Sequence, residues 1–242
     1  MKKDPFELAR SLCSKARRVC ALTGAGISAE SGLATFRDAG GLWEGHRVED
    51  VATPEAFRRD PRLVWQFYNA RRKAGAEARP NPAHLALAKL EERAQVSVLT
   101  QNVDGLHGKA GSTRVVELHG SLWRVRCTGE CPPLAHAEPL ELAWPTQCKR
   151  CGELLRPDIV WFGEALDPKV LEESARAMLE SEVFLVIGTS ALVQPAASIA
   201  FEAVRRGIPV VEVNRERTPL SKLASATLLG KAGELLPKLL KA

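Results

Sequence analysis

Short apolar runs alternate along the chain with longer segments in which apolar residues recur every three or four positions. Apolar runs of about five residues, bounded by glycine or polar residues, are typical of strands buried on both faces, and the longer periodic segments are typical of helices. The sequence predicts helices over residues 4–18 and from about 195 to 206. It predicts strands over residues 19–23, 95–100, 115–118, 183–187 and 209–213.

This alternation predicts an α/β fold built on a Rossmann-like, doubly wound parallel sheet. Two segments interrupt it: residues 37–80 have helical and loop-rich patterns, and residues 123–156 contain four of the six cysteines. We therefore expect one Rossmann-like domain formed by residues 1–36, 81–122 and 157–242. The two interrupting segments would form a smaller, discontinuous domain with a helical module and a cysteine-rich module.

Small or polar residues follow each predicted strand. Ligands of such sheets bind beyond the carboxyl ends of the strands, so we expect a binding site there. The residues concerned are Gly24, Ala25 and Gly26, then Gln101, Asn102 and Asp104, then His119, then Gly188, Thr189 and Ser190, and finally Asn214. Each group has a structural alternative, because glycines suit tight turns, Asn and Asp suit loop caps, and a lone histidine is often structural.

The glycine turn Gly24-Ala25-Gly26 would let backbone N–H groups approach a pyrophosphate. A third glycine, expected in a dinucleotide-binding motif, is replaced by Ala29. The turn alone therefore does not separate a phosphate site from a simple strand-to-helix connection.

The chain has a formal net charge of +5 and a pI near 9.0, but no run of five or more basic residues. We therefore expect no nucleic-acid partner. The first ten residues lack the apolar core of a signal peptide, and no apolar run approaches the ~18 residues of a membrane span. We expect a cytoplasmic protein without a membrane partner, in which cysteines are thiols or metal ligands.

Four cysteines form two pairs. Cys127 and Cys131 are separated by three residues, Cys148 and Cys151 by two, and 16 residues lie between the pairs. This spacing is typical of one tetrahedral zinc ion. Because four thiolates leave no open coordination position, the zinc would be structural. Residues 123–156 are then a zinc-binding module, and Cys13 and Cys20 are expected to be buried thiols outside it.

Tyr68 is the only tyrosine, and it lies three positions before Arg71. If residues 63–74 are helical, the two side chains lie on one face and Arg72 points elsewhere. A phenol and a guanidinium can together bind a carboxylate. The alternative is a solvated helix surface with a half-buried tyrosine.

Several motifs together resemble a known family. They are GAGISAESGLATFRDAGGLW, TQNVDGLH, the pair His119-Gly120, GTS and the late VN. In this order they resemble the sirtuins, the NAD-dependent protein lysine deacylases, from about residue 10 to the C-terminus. The resemblance implies NAD⁺ as co-substrate and acylated-lysine proteins or peptides as substrates. With such short termini, we expect a monomer.

The resemblance also assigns roles. His119 is the implied general base and Asn102 the second catalytic residue. Nicotinamide departs when the acyl oxygen attacks the ribose, and His119 then deprotonates a ribose hydroxyl. The implied NAD-binding residues are Gly24, Ala25, Gly26, Ser28, Glu30, Thr35, Phe36, Arg37, Gln101, Asn102, Asp104, Gly188, Thr189, Ser190, Asn214 and Ala232. A substrate loop is implied at Val160, Trp161, Phe162 and Gly163, where an extended peptide would add as a strand.

A Tyr-x-x-Arg pair resembles the sirtuin subgroup that removes succinyl and malonyl groups, and the small residue Ala39 fits it as well. Tyr68 and Arg71 would then bind the carboxylate of the acyl chain, while acetyl-lysine would still be processed. Three alternatives stay open: a plain deacetylase whose Tyr68 and Arg71 point away from the tunnel, a non-catalytic NAD or acyl-lysine binding regulator, and an ADP-ribosyl transferase.

Overall fold

The computed structural model describes residues 4–34, 42–43, 45–132, 134–135 and 142–241. Four of the predicted site residues, Thr35, Phe36, Arg37 and Ala39, lie outside the described residues.

Strands and helices alternate through most of the described chain. The strands are β1 (Arg18–Thr23), β2 (Leu42–Trp43), β3 (His46–Arg47), β4 (Gln95–Thr100), β5 (Val115–Glu117), β6 (Gly120–Cys127), β7 (Leu134–Ala135), β8 (Leu155–Ile159), β9 (Val183–Ile187), β10 (Val210–Asn214) and β11 (Ala226–Leu229). The helices are α1 (Pro5–Lys15), α2 (Ala25–Ser28), α3 (Val48–Val51), α4 (Pro54–Arg59), α5 (Pro61–Glu77), α6 (Pro82–Leu90), α7 (Leu106–Lys109), α8 (Pro168–Leu179), α9 (Ala196–Arg205) and α10 (Ala232–Leu239).

Six strands form a parallel sheet in the order β11-β10-β9-β1-β4-β5. This is the doubly wound arrangement that the sequence predicts, so the fold class is confirmed. The chain runs outward from β1 through β4 to β5, then returns to β9 on the other side of β1. The crossing point between β1 and β9 is where such sheets bind ligands.

Helices cover both faces of this sheet. One core contains residues of α1, α6 and α10, and a second contains residues of α8 and α9. Successive residues of β1 alternate between them, since Ala21 belongs to the first core and Leu22 to the second. A strand with a core on each face is mainly apolar along its length, which explains the short apolar runs.

A third core lies outside the parallel sheet. It joins residues of α3, α4 and α5 to residues of the antiparallel strands β6 and β8. Trp65 of α5 donates a hydrogen bond from Nε1 to the Leu155 carbonyl oxygen at 2.8 Å. Asn69 exchanges two hydrogen bonds with the backbone of Leu142, at 3.0 and 3.1 Å. The two interrupting segments therefore share one apolar core.

Several elements differ from the sequence prediction. The predicted helix over residues 4–18 is too long, because the chain becomes extended at Ala16. The sequence analysis also missed β11, a four-residue edge strand that pairs with β10, and the antiparallel strands β6 and β8. The predicted helix over 63–74 begins earlier, at Pro61, where the Asp60 side chain accepts a hydrogen bond from Leu63 N at 2.9 Å.

The longest helix of the described residues is α5, which has 17 residues and a polar face. Among the helices of the described residues, none is long and apolar enough to cross a membrane.

The turns after β1 and β9 touch through their backbones. Gly26 N donates a hydrogen bond to the Gly188 carbonyl oxygen at 2.8 Å. A Cβ atom at position 26 would lie 2.7 Å from that same oxygen. Close approach of two backbones, as well as access for a ligand, therefore requires glycine here.

We expect Gly26→Ala to lower the free energy of unfolding by about 1–3 kcal/mol, because the two turns would have to separate. Urea unfolding followed by circular dichroism measures the change. Gly108→Ala is the matched control, since a Cβ there meets no atom within 4 Å. It should leave stability unchanged or raise it by up to about 1 kcal/mol, because alanine is the better helix former. Equal losses for both variants would contradict the close-approach argument.

Candidate active site

A cavity of about 630 Å³ opens at the carboxyl edge of the parallel sheet and extends to the inserted segments. It brings together nearly all the described residues that the sequence predicted for NAD and substrate: Gly24, Ala25, Gly26, Ser28, Tyr68, Arg71, Gln101, Asn102, Asp104, His119, Val160, Trp161, Phe162, Gly163, Gly188, Thr189, Ser190, Asn214 and Ala232. Glu30 is not in the cavity wall. Its carboxylate accepts a hydrogen bond from Gly233 N at 3.0 Å and so ties the first turn to α10.

His119 lies between β5 and β6, at the cavity wall. Its Nδ1 is 3.0 Å from the Gln101 carbonyl oxygen. A carbonyl can only accept, so Nδ1 carries the proton and Nε2 keeps its lone pair. Burial lowers the pKa of His119 below its ordinary value, against a smaller opposing effect of the Gln101 hydrogen bond. The imidazole is therefore neutral near pH 7, with Nε2 able to accept a proton.

Asn102 is held by the turn that follows β1. Its Nδ2 donates to Gly24 O and to Ser28 Oγ, both at 3.1 Å. Ser28 Oγ in turn donates to Asp104 Oδ2 at 2.7 Å, and Asp104 Oδ1 accepts from Leu106 N at 2.9 Å. These bonds fix the loop after β4 against the loop after β1, so that the amide and the carboxylate have defined orientations in the cavity.

Two histidines lie buried behind this network. His107 Nε2 is 2.9 Å from Thr23 Oγ1, and His84 Nε2 is 3.5 Å from Ser28 Oγ. Burial lowers the pKa of His107 to about 3 and that of His84 to about 4. Both are therefore neutral supports, His107 for the end of β1 and His84 for the turn that follows it. His46 is partly buried, and His136 lies outside the described residues.

Tyr68 and Arg71 lie on the face of α5 that borders the cavity. Tyr68 is fully buried, so the half-buried tyrosine of a solvated helix is wrong. Its hydroxyl oxygen accepts a hydrogen bond from Trp161 Nε1 at 2.9 Å. Burial raises the pKa of Tyr68 to about 12, so the phenol keeps its proton. Arg72 points elsewhere, as predicted, and donates to the Leu122 carbonyl oxygen.

Two backbone N–H groups of the predicted substrate loop already donate hydrogen bonds within the protein. Val160 N donates to the His119 carbonyl oxygen and Phe162 N to the Ala52 carbonyl oxygen, both at 3.0 Å. An added peptide strand would have to pair with the other backbone groups of this segment. The Phe162 side chain is half exposed, whereas Trp161 is buried.

The four paired cysteines converge as the spacing predicts. Their Sγ atoms all lie within 4.8 Å of one another, with Cys127 and Cys151 3.3 Å apart. Ligands at about 2.3 Å from a tetrahedral zinc lie about 3.8 Å apart, so the four thiols fit one structural zinc. Backbone N–H groups of Arg150 and Cys151 lower the pKa of Cys148 to about 6, which favours the thiolate that zinc requires.

The two other cysteines are buried in the sheet region. Burial raises the pKa of Cys13 to about 12, and the pKa of Cys20 is raised for the same reason. They are inert thiols, as predicted.

Three polar cavity residues escaped the sequence analysis: Gln194, Arg215 and Glu216. Arg215 and Glu216 directly follow β10, so the rule that selected Asn214 could have found them. Glu164 ends the segment that resembles the substrate loop, but its pairing was not predicted. Its carboxylate binds both terminal nitrogens of the Arg156 guanidinium, at 2.6 and 2.8 Å, and only the folded chain brings the two together.

We expect one zinc ion per chain, measured by plasma mass spectrometry of the purified protein. Cys148→Ser should lose the metal and lower Tm by about 10 °C, because zinc binding contributes directly to folding free energy. Cys13→Ser, which changes a thiol outside the cluster, is the control and should retain the metal. Full zinc occupancy in Cys148→Ser would contradict the four-cysteine site.

Known proteins share this sequence and fold. A family model described as the Sir2 family matches residues 24–195. A Thermococcus kodakarensis protein named NAD-dependent protein deacylase is 48% identical over 244 residues, which are 96% of this chain and 93% of the relative. A Pyrococcus furiosus protein of the same name is 49% identical over 236 residues, covering 95% and 94%.

Solved structures agree. A mutant Sir2 homologue in complex with ADP-ribose superposes with a TM-score of 0.92 at 43% identity, over 99% of this chain and 95% of that one. A Sir2 homologue in complex with NAD gives 0.88 at 44% identity, over 97% and 91%. A Sir2 protein bound to a myristoylated histone peptide gives 0.79 at 33% identity, over 98% and 95%. With the family model matching most of its length and relatives of nearly half-identical sequence matching almost all of it, the chain belongs to the Sir2 family, the sirtuins.

Proposed function

We propose that this chain is an NAD-dependent protein-lysine deacylase that removes succinyl and malonyl groups, and also acetyl groups, from lysine. Nicotinamide and O-acyl-ADP-ribose are the products. The observation that carries the proposal is that Tyr68 and Arg71 line the same cavity as His119 and Asn102. A carboxylate-binding pair and a neutral base thus border one space. The names of the relatives and the NAD and ADP-ribose complexes of the structural neighbours support the activity.

The NAD site lies at the sheet edge between β1 and β9. NAD supplies the electrophilic ribose carbon and the nicotinamide leaving group. Backbone groups of the Gly24–Gly26 turn and the side chains of Thr189 and Ser190 bind its phosphates and ribose. Gln101, Asn102 and Asp104 hold the nicotinamide half, and Asn214 and Ala232 the adenosine half. Thr35, Phe36 and Arg37 complete this proposed set by family resemblance, as does Glu30 through its contact with α10.

His119 acts as the base. With its proton held on Nδ1 by the Gln101 carbonyl, Nε2 accepts a proton from a ribose hydroxyl. Asn102 orients the substrate, because its own amide is held by Gly24 and Ser28. Because the Asn102 side chain is already fixed, it does not have to be reoriented during the reaction.

Selection of the acyl group rests on charge. A succinyl chain ends in a carboxylate, to which Arg71 offers a charged donor and Tyr68 a neutral one. The pair lies in a largely apolar wall, where a charge-assisted hydrogen bond is stronger than at an exposed surface. Acetyl-lysine lacks the carboxylate and forgoes this contact. A small side chain at Ala39 is part of the proposal as well.

The two inserted segments, 37–80 and 123–156, form the proposed small domain, which with the segment Val160–Gly163 receives the acylated peptide. The Sir2 protein bound to a myristoylated histone peptide and another bound to a deacetylated p53 peptide support a protein substrate. The cytoplasmic location, the monomeric state and the absence of a nucleic-acid partner stay predictions.

The deciding assay is nicotinamide release from NAD with matched acetyl-, succinyl- and myristoyl-lysine peptides. For wild type we expect a higher kcat/KM for the succinyl peptide than for the acetyl peptide. Arg71→Met should lower the succinyl-to-acetyl ratio of kcat/KM by about 10- to 100-fold, the range for one charged hydrogen bond. Arg62→Met removes an exposed charge from the same helix and should keep the ratio of wild type.

An acetyl preference that Arg71→Met does not change would identify a plain deacetylase. Nicotinamide release that leaves the acyl group on lysine would favour ADP-ribosyl transfer, and no release with any peptide would favour a binding regulator.

The pH profile tests His119. The base must be neutral, and burial lowers its pKa, so kcat/KM should stay high as pH falls to 6.5 and decline only below that. Stopped assays between pH 5 and 8 in constant ionic strength give the profile, and His119→Ala should abolish turnover without loss of folded structure. An acidic limb centred above pH 6.5 would contradict the assignment.

A further inference from the structure

The hydroxyl oxygen of Tyr68 receives a buried hydrogen bond from an indole. Trp161 Nε1 lies 2.9 Å from Tyr68 Oη, and both residues border the cavity. We propose that Trp161 is a positioning residue for acyl selection, because its N–H directs the Tyr68 hydroxyl proton into the acyl pocket. This inference rests on the proposed function and deepens it.

The direction of the hydrogen bond is fixed by chemistry. An indole nitrogen can only donate, so the phenol oxygen must accept. A phenol proton prefers the plane of its ring, where it has two positions on opposite sides of the oxygen. The incoming N–H occupies one side, and the Tyr68 proton takes the other. Tyr68 therefore presents a donor to a further acceptor, which is what a carboxylate requires.

The indole itself is held in place by an ion pair. The Arg156 guanidinium carbon lies 3.5 Å from the centroid of the Trp161 ring, and Phe57 packs against that ring at 5.4 Å. The Arg156 fork binds both oxygens of Glu164. Glu164 Oε2 also accepts a hydrogen bond from the backbone N of Trp161 at 2.8 Å. The ion pair of Arg156 and Glu164 thus anchors both the ring and the backbone of Trp161.

Without this donor the phenol would still fill its place but lose its orientation. Its proton could turn to the side that the indole N–H now occupies, and an incoming carboxylate would meet a lone pair. The penalty falls on substrates with an acidic chain, because acetyl-lysine makes no bond to this hydroxyl. Trp161 therefore acts on selectivity through Tyr68 and is distinct from a group that touches the reacting atoms.

The kinetic test uses Trp161→Phe, which keeps an aromatic ring between Arg156 and Phe57 but removes the N–H. We expect the succinyl-to-acetyl ratio of kcat/KM to fall about fivefold, the effect of one hydrogen bond, mainly through a higher KM for the succinyl peptide. Trp144→Phe, at a partly exposed indole, is the control and should keep the ratio. The double variant Tyr68→Phe/Trp161→Phe should be no less selective than Tyr68→Phe alone. Additive losses, or equal losses for both peptides, would overturn the positioning role.

The single tyrosine allows a direct readout as well. Protein labelled with ¹³C at the tyrosine Cζ gives one carbon resonance, which reports the hydrogen bonding of Tyr68. In wild type, a succinyl-lysine peptide should shift this resonance more than an acetyl-lysine peptide does, and Trp161→Phe should shift it without any peptide. This measurement on wild type holds even if a variant folds poorly.

The two possible failures differ. A resonance that Trp161→Phe leaves unmoved would overturn the inference, even if Arg71→Met upholds the succinyl preference. Absence of any succinyl preference in wild type, with Arg71→Met silent, would overturn the acyl part of the proposed function, and the positioning role would fall with it.

Discussion

The central position of β1 is the constraint on which the site depends. Because β1 pairs in parallel with both β4 and β9, the turns that follow these three strands meet at one edge of the sheet. Gly24 N donates to Ile187 O, and Gln101 N donates to Thr23 O. These backbone bonds place the glycine turn, the polar loop after β4 and the loop after β9 around a single cavity. The proposed contacts of these three loops with NAD follow from this register.

The proposed base and the proposed acyl pocket are connected to that edge by different means. His119 reaches it through the short connection from β5 to β6, and the Gln101 carbonyl selects its tautomer. Tyr68 and Arg71 come from α5, which packs with β6 and β8 in the third core. Cys127 and Cys148 belong to the same core. The cysteine cluster therefore packs in the same core as the residues proposed to bind the acyl group, although it lies outside the cavity.

The buried hydroxyl of Tyr68 illustrates how a buried polar group could take part in ligand recognition. A phenol that is fully buried costs free energy unless its hydrogen bonds are made. Trp161 makes one of them and so leaves the hydroxyl proton for a ligand. In the proposed function, a carboxylate would complete the set, and an acidic acyl chain would then be favoured over acetyl. The ion pair of Arg156 with Glu164 holds the arrangement from behind.

The sequence by itself determined the sheet and most of the candidate site. Apolar runs identified five of the six strands of the parallel sheet, because strands between two layers of helices are mainly apolar, and the small or polar residues after them marked the cavity. Cysteine spacing indicated the zinc site, because chelation needs ligands close along the chain. The short edge strand β11 was missed, since four residues at a sheet edge give too little periodicity.

Only the tertiary structure decided which face of α5 borders the cavity. Spacing placed Tyr68 and Arg71 on one helix face but did not say whether that face meets solvent or the cavity. Burial of Tyr68 and its bond to Trp161, 93 positions later in the chain, depend on how distant segments pack. The same holds for the contact of Glu30 with α10 and for the pairing of Arg156 with Glu164 behind the indole. Contacts of this kind leave no periodic pattern in a sequence, because each depends on where the fold places the partner.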